Sequence, residues 1–133
     1  MSEANVELVH RAFAAFNRRD LDAFLALVDR DVEFAARFIE MEGSSHYQGH
    51  AGIRDWWQSL LAIFPDFTIN PLEVRVLDDT VITAVRVSGH GADSGVPIDQ
   101  VVWQVSRVFD GKAIWWRNFA TEAEALEAAG LHE

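Results

Sequence analysis

VPIDQVVWQVSRVFDGKAIWWRNFA, residues 96–120, contains two runs of alternating side chains joined by a short turn. The period of two along residues 96–109, and again along residues 113–120, is that of a β-strand. Asp110-Gly111 is a strong hairpin signal, because a two-residue turn needs positive φ angles that these residues accept. The stretch therefore predicts two antiparallel strands joined by a tight turn.

The residues just upstream predict two more strands of the same sheet. Alternation runs through residues 67–76 and 81–87, with Asp78-Asp79 as the turn between them. Pro71 cannot donate to a strand ladder, so its strand is expected to be bulged or at an edge. Four consecutive strands with short connections must pair antiparallel.

The first half of the chain predicts three helices and one strand. Residues 5–18 carry an apolar stripe, Asp20 caps a second short helix, and a third helix ends before Pro65. Alternation from Val32 to Phe38 predicts the first strand, followed by a loop over residues 39–49. The buried sides of the helices are predicted to carry Val6, Val9, Phe13 and Phe16; then Leu21, Phe24, Leu25 and Val28; then Ile53, Trp56, Trp57, Leu60, Leu61 and Phe64.

A final short helix is predicted from the capping box Thr121-Glu122-Ala123-Glu124 to Gly130. The fold class is therefore α+β: three main helices packed on one face of a curved antiparallel sheet, plus this short C-terminal helix. Its 133 residues fit one domain.

Composition excludes several classes of function. The chain has no cysteine, so disulfides, thiolate zinc sites and cysteine nucleophiles are excluded. With 11 basic and 21 acidic residues, its net charge of −10 disfavours nucleic-acid and membrane partners.

No signal peptide or membrane span is evident, so we expect a cytoplasmic protein. His46 and His50 lack a third ligand and no phosphate loop is present, so no metal or cofactor is expected.

Asp99 is the candidate catalytic residue. The strand face of Pro97, Asp99, Val101, Trp103 and Val105 is the more apolar, so we expect it under the helices. Desolvation would then raise the pKa of the Asp99 carboxyl and leave it able to donate a hydrogen bond or act as a base. The alternative is a solvated residue bonded to the turn before its strand.

Six other side chains are candidates for binding a substrate. Buried indoles need a partner for their N–H, and a strand asparagine can orient a carbonyl group or water. Periodicity does not decide which of Trp115 and Trp116 faces inward. Glu40 and Glu42 are expected to be solvated. The candidates are Trp103, Trp116, Asn118, Trp57, Phe16 and Tyr47.

The chain resembles the SnoaL-like group of the nuclear transport factor 2-like superfamily over nearly its whole length. The matching stretches are residues 14–23 (AAFNRRDLDA), 49–57 (GHAGIRDWW), 64–67 (FPDF) and 110–112 (DGK) before Trp116. The resemblance implies a cone: three main helices around a strongly bent sheet, with a pocket inside. It also implies that such domains commonly dimerise through the open face of the sheet.

Known active sites of the superfamily match only in part. Pro97-Ile98-Asp99 is similar to a stretch of ketosteroid isomerases. In that family an apolar site keeps the matching aspartate neutral, so that it donates a hydrogen bond to the substrate oxygen. Ala12 and Ala36 stand where that family has its tyrosine and its general base. Asn118 replaces an aspartate of limonene epoxide hydrolases. Ala120 and Thr121 stand where the polyketide cyclases have an aspartate.

The sequence thus favours a binding protein for a small apolar molecule, which would be a cofactor-free isomerase, cyclase or hydratase-like enzyme if Asp99 is catalytic. The alternatives are a non-catalytic ligand-binding or accessory domain and an assembly domain. We also expect a homodimer through the strand face of Gln100, Val102 and Gln104.

Overall fold

The computed structural model of the protein describes residues 2–35 and 47–130. Its elements follow the predicted order of helices and strands, with one additional short strand, Tyr47–Gln48, inside the predicted loop. They are α1 (Ser2–Asn17), α2 (Leu21–Leu25), β1 (Val28–Ala35), β2 (Tyr47–Gln48), α3 (Gly49–Ile63), β3 (Thr68–Leu77), β4 (Thr80–His90), β5 (Pro97–Phe109), β6 (Lys112–Phe119) and α4 (Glu122–Ala128).

Two boundaries differ from the sequence prediction. Helix α2 ends at Leu25 and β1 begins at Val28, which had been assigned to the helix. Val28 is buried all the same, since it enters the core from the strand. The end of the predicted first strand (Ala36, Phe38) and the loop with Glu40, Glu42 and His46 lie outside the described residues.

Six strands form one sheet in the order β2-β1-β6-β5-β4-β3. Strands β3 to β6 pair antiparallel, as predicted, while β1 runs parallel to β6 and sets Phe34 beside Trp116. Strand β3 is at the edge, and its register shifts between Pro71 and Glu73, as the proline predicted. Asp110 and Gly111 both have positive φ, which forms the predicted tight hairpin between β5 and β6.

Helices α1 to α3 pack on one face of the sheet, which we call the inner face. Phe16, Trp56 and Trp57 are buried in the core between the two layers, at 0%, 2% and 6% exposure. The aromatic stripe predicted for α3 is therefore core, and burial of these side chains supplies much of the stabilisation.

The opposite face of the sheet, the outer face, is covered at one end by α4. Ala125 of this helix is fully buried against Ile82 and Val105, with Trp103, Trp115 and Phe119 packed around them. The three main helices therefore cover one face of the sheet, as predicted, and the short C-terminal helix α4 covers part of the other.

Two side chains tie the end of α1 to the sheet edge. Asn17 donates to the Ile69 carbonyl oxygen and accepts from the Ile69 N–H, so its side chain replaces a neighbouring strand. Arg19 donates to the carbonyl oxygens of Phe16, Pro65 and Phe67. These hydrogen bonds give partners to backbone groups that lack them at the end of the helix and at the edge of the sheet. Within residues 2–35 and 47–130, no helix combines the length and hydropathy needed to span a membrane.

Candidate functional site

The face of β5 that packs under the helices is not the one that the sequence suggested. Val102 and Gln104 are buried beneath the helices, at 5% and 4% exposure. Asp99 and Val101 lie on the outer face and are exposed. Two expectations are therefore corrected: Asp99 does not line the interior, and Val102 and Gln104 are not on an open face available for dimerisation.

Asp99 is ion-paired on the outer face. Its carboxylate accepts hydrogen bonds from Nε and Nη2 of Arg86, at 2.8 and 2.6 Å. These hydrogen bonds lower the pKa of Asp99 below its usual value and outweigh the opposing effect of desolvation. The predicted rise of the pKa was wrong, because the basic partner comes from the neighbouring strand β4 and not from β5.

A small cavity lies between the helices and the inner face of the sheet. Its volume is about 10 Å³, which is at the threshold for holding one water molecule. Helices α1, α2 and α3 contribute aromatic rings, and β1, β3, β5 and β6 contribute the other walls. The lining residues that the structure describes are Phe13, Phe24, Phe34, Trp56, Ile69, Gln104 and Trp116.

The aromatic rings of this lining pack in tilted and edge-to-face pairs. The Phe34 ring is 4.8 Å from that of Trp56, at 69° between planes, and 6.3 Å from that of Trp116. Phe24 is 6.4 Å from Trp116. Tilted and edge-to-face pairs are favourable geometries for aromatic groups, so these walls hold each other in place.

Polar atoms at the sheet end of the cavity lack partners. Gln104 and Asn118 lie directly opposite each other on β5 and β6. Among the described residues, Gln104 Oε1, Trp116 Nε1 and both Asn118 side-chain polar atoms are buried without a hydrogen-bond partner. A buried donor or acceptor without a partner costs roughly 1–3 kcal/mol. Such a group of donors and acceptors is suited to a bound neutral polar group.

The structure brings together only part of the predicted substrate-binding set. Trp116 lines the cavity and Asn118 lies beside Gln104, so Trp116, not Trp115, is the inward-facing indole. Phe16 and Trp57 pack on each other in the adjacent core, with ring centroids 4.9 Å apart.

The other two candidates lie elsewhere. Trp103 is on the outer face, packed with the cluster beneath α4, and was wrongly expected under the helices. Tyr47, on β2, is half-buried against the main core.

Gln104 is the candidate site residue that the sequence reasoning missed. It was assigned to an open face because its neighbours Gln100 and Ser106 are polar. Gln104 shares its strand face with Val102 and Val108, which are buried. A polar side chain on such a face is the signal that indicates a site. The cavity-lining residues Phe13, Phe24, Phe34, Trp56 and Ile69 were expected only as core or strand residues.

The described residues hold no group of three or more acidic or histidine side chains arranged for a metal ion. His50 begins α3, as expected, and its Nε2 is 3.0 Å from the Val28 carbonyl oxygen. Asp66 accepts from both the backbone N–H and Nδ1 of His90, and these hydrogen bonds lower its pKa.

A cone of three helices on a bent sheet, with an aromatic cavity at its centre, defines the nuclear transport factor 2-like fold. The SnoaL-like domain model matches residues 9–116, and the chain belongs to this family. No curated protein matches the chain.

Solved structures with the same fold cover nearly the whole chain. TerC co-crystallised with polyporic acid is 20% identical, with a TM-score of 0.78 over 93% of this chain and 96% of that chain. A ketosteroid isomerase-like protein from Catenulispora acidiphila, in complex with trimethylamine, is 17% identical, with a TM-score of 0.76 over 95% and 94%. A candidate SnoaL-like polyketide cyclase from a Jannaschia species is 20% identical, with a TM-score of 0.75 over 96% and 91%. At sequence identities this low, the structural similarity shows that these proteins share a fold.

Proposed function

We propose that the protein binds a small neutral molecule in the cone, with a polar group of the ligand placed between Gln104, Trp116 and Asn118. The single observation that carries this proposal is the set of buried, unpartnered polar atoms on these three side chains. Trp116 Nε1 and Asn118 Nδ2 are donors, while Gln104 Oε1 and Asn118 Oδ1 are acceptors. A ligand group that both accepts and donates hydrogen bonds, such as an amide or a phenol, can pair with both the donors and the acceptors.

The lining also defines the charge and shape of the ligand. Its described residues are apolar or aromatic except for one neutral amide, and burying a full charge among them would be costly. The rings favour an aromatic ligand. TerC, which shares the fold, was crystallised with polyporic acid, so this fold accommodates organic ligands.

Ligand entry requires the aromatic walls to move. A cavity of about 10 Å³ admits one water-sized group, whereas pockets for drug-sized ligands have volumes of roughly 300–1,000 Å³. We therefore expect a polar group to occupy the existing space and the ring body to displace side chains of the lining. The proposal concerns binding; acid–base chemistry at Asp99 would have to take place on the outer face.

Benzamide and benzoate form a matched test pair, since they share a shape and differ in charge. Benzamide should shift the NMR signals of the Trp116 indole N–H and the Asn118 amide group and raise the melting temperature. Benzoate should do neither. Gln104→Leu should weaken benzamide binding about tenfold, as expected for a lost buried hydrogen bond.

Gln100→Leu is the control for this variant. It makes the same change on the same face of β5, at a residue that is exposed. Equal binding of benzamide and benzoate, or equal loss in both variants, would refute the proposed site.

A further inference from the structure

Four arginines extend from the outer face of strands β3 to β6, and two of them have a carboxylate partner in the described part of the chain. Arg75 is bound by the carboxylates of Glu73 and Glu122, and Arg86 is bound by that of Asp99. Arg107 and Arg117 have no carboxylate within ion-pair distance among residues 2–35 and 47–130. In a chain with 21 acidic residues, two neighbouring guanidinium groups without such partners are a distinctive feature of this face.

Both unpaired guanidinium groups converge on the ring of Trp115. The central carbon of the Arg107 group is 4.9 Å from the ring centroid, and that of Arg117 is 5.0 Å away. Arg107 lies directly opposite Trp115 across the β5–β6 ladder, and Arg117 follows two residues later on β6. Trp115 is itself half-buried in the cluster beneath α4. The two cations are therefore held in place by a fixed ring.

This arrangement has an electrostatic cost that an anion would remove. Two like charges near each other on one sheet face repel, and cation–π contact with a single ring compensates only partly. A guanidinium group offers five N–H donors in a planar fork that fits the oxygen pairs of carboxylates and phosphates. Two such forks beside one ring give this part of the outer face hydrogen-bond donors for an oxyanion.

The geometry points to an oxyanion-binding site at Arg107, Trp115 and Arg117, which takes a small soluble carboxylate or phosphate ester. The site is on the opposite face of the sheet from the cone and does not depend on the ligand proposed for Gln104 and Asn118. The net charge of −10 disfavours nucleic acid and anionic membranes as sources of the anion, because the rest of the surface repels them.

The test is a titration of the protein with inorganic phosphate, succinate and glycerol phosphate, followed by the NMR signals of the arginine Nε–H groups. Ionic strength is held constant, since exposed charges are screened by salt. Arg107 and Arg117 should shift together and saturably, and the anion that binds most tightly distinguishes a carboxylate from a phosphate source. Arg107→Gln and Arg117→Gln should each weaken binding about tenfold.

Lys112→Gln is the matched control. Lys112 is an exposed cation on the same hairpin, so this variant changes the net charge equally. It should keep the affinity within about twofold, as expected when only long-range attraction is lost. Equal weakening by all three variants, or no saturable shift with any of the three anions, would refute the site.

A dimer that dissociates in Arg107→Gln and Arg117→Gln would instead show that carboxylates of a second copy occupy these arginines. That result would also overturn the inference. Benzamide binding in the cone is measured in the same samples, so failure of the outer site is distinguishable from failure of the inner one.

Discussion

Arg86 on β4 holds the carboxylate of Asp99 on β5 by two hydrogen bonds, one from Nε and one from Nη2, at 2.8 and 2.6 Å. The two residues are diagonal neighbours, because Ser88 is the residue directly opposite Asp99. The same hydrogen bonds raise the pKa of Arg86 and lower that of Asp99. This ion pair changes the sign of the pH dependence expected for the strand.

The first prediction concerns the titration of Asp99. Its folded-state pKa should lie below the unfolded reference of about 3.9. The pair should therefore stabilise the fold above the unfolded pKa, and this stabilisation should be lost as pH falls through the folded pKa. Its effect on stability is expected to be small, because both side chains are more than half exposed.

Carbon-13 NMR of the Asp99 carboxyl group measures that pKa directly. Arg86→Gln should raise it toward the reference, and Arg54→Gln, a change at an exposed arginine of α3, should not. A pKa at or above the reference in the unaltered protein would contradict the ion pair.

The second prediction concerns the core side of α3. Trp56→Ala should lower the free energy of unfolding by roughly 3–5 kcal/mol, because it leaves a large cavity among packed rings. Ile63→Ala on the same helix removes a side chain that is 43% exposed and should cost less than about 1 kcal/mol. Urea denaturation measures both. Losses below about 1 kcal/mol for both Trp56→Ala and Trp57→Ala would show that the stripe is not core.

The third prediction separates stability from binding at Gln104. Gln104→Met keeps the approximate volume and removes a buried amide whose Oε1 has no partner among the described residues. The ligand-free protein should therefore unfold with an unchanged or higher free energy, by up to about 1 kcal/mol, while benzamide binding weakens.

Gln104→Glu is the contrasting variant for the third prediction. It buries a charge at the same position and should destabilise the protein clearly. A stability loss above about 1 kcal/mol in Gln104→Met would indicate that the amide is already satisfied in the folded protein.

The fourth prediction concerns a homodimer, which we place on the part of the outer face that α4 leaves uncovered. Val101 is 46% exposed there, and Val101→Glu should convert the dimer to a monomer by burying a charge in an apolar contact. Leu72→Glu changes a comparably exposed apolar residue on β3, at the register shift, and should leave the dimer intact. Light scattering that shows a monomer at micromolar concentration in the unaltered protein would count against this assembly.

The order of elements could be predicted because each depends on local signals. Asp110-Gly111 specified its turn, the Thr121 capping box began α4, and Pro71 placed its strand at an edge. The parallel pairing of β1 with β6 was not predicted, since it joins distant parts of the chain without a signal in either strand.

The faces of β5 could not be told apart because both carry apolar residues. Trp103 and Val105 pack in the cluster beneath α4. Val102 and Val108 pack in the main core on the other face. Counting apolar residues therefore selected the wrong face, and with it the wrong environment for Asp99. Gln104 and Asn118 are neighbours because the register of β5 and β6 places them directly opposite each other.

Phe34 beside Trp116 brings together the early and late parts of the chain, with consequences for synthesis on the ribosome. The cavity needs rings from α1, α2 and β1, but its polar end arrives only with β5 and β6. Until then, the nascent chain carries aromatic helices with no sheet to cover them, a state that favours aggregation. Pairing of such distant segments also slows folding. A chain that stops before β6 therefore has neither a closed core nor the polar end of the cavity, so the proposed binding site is completed only when the last strand is in place.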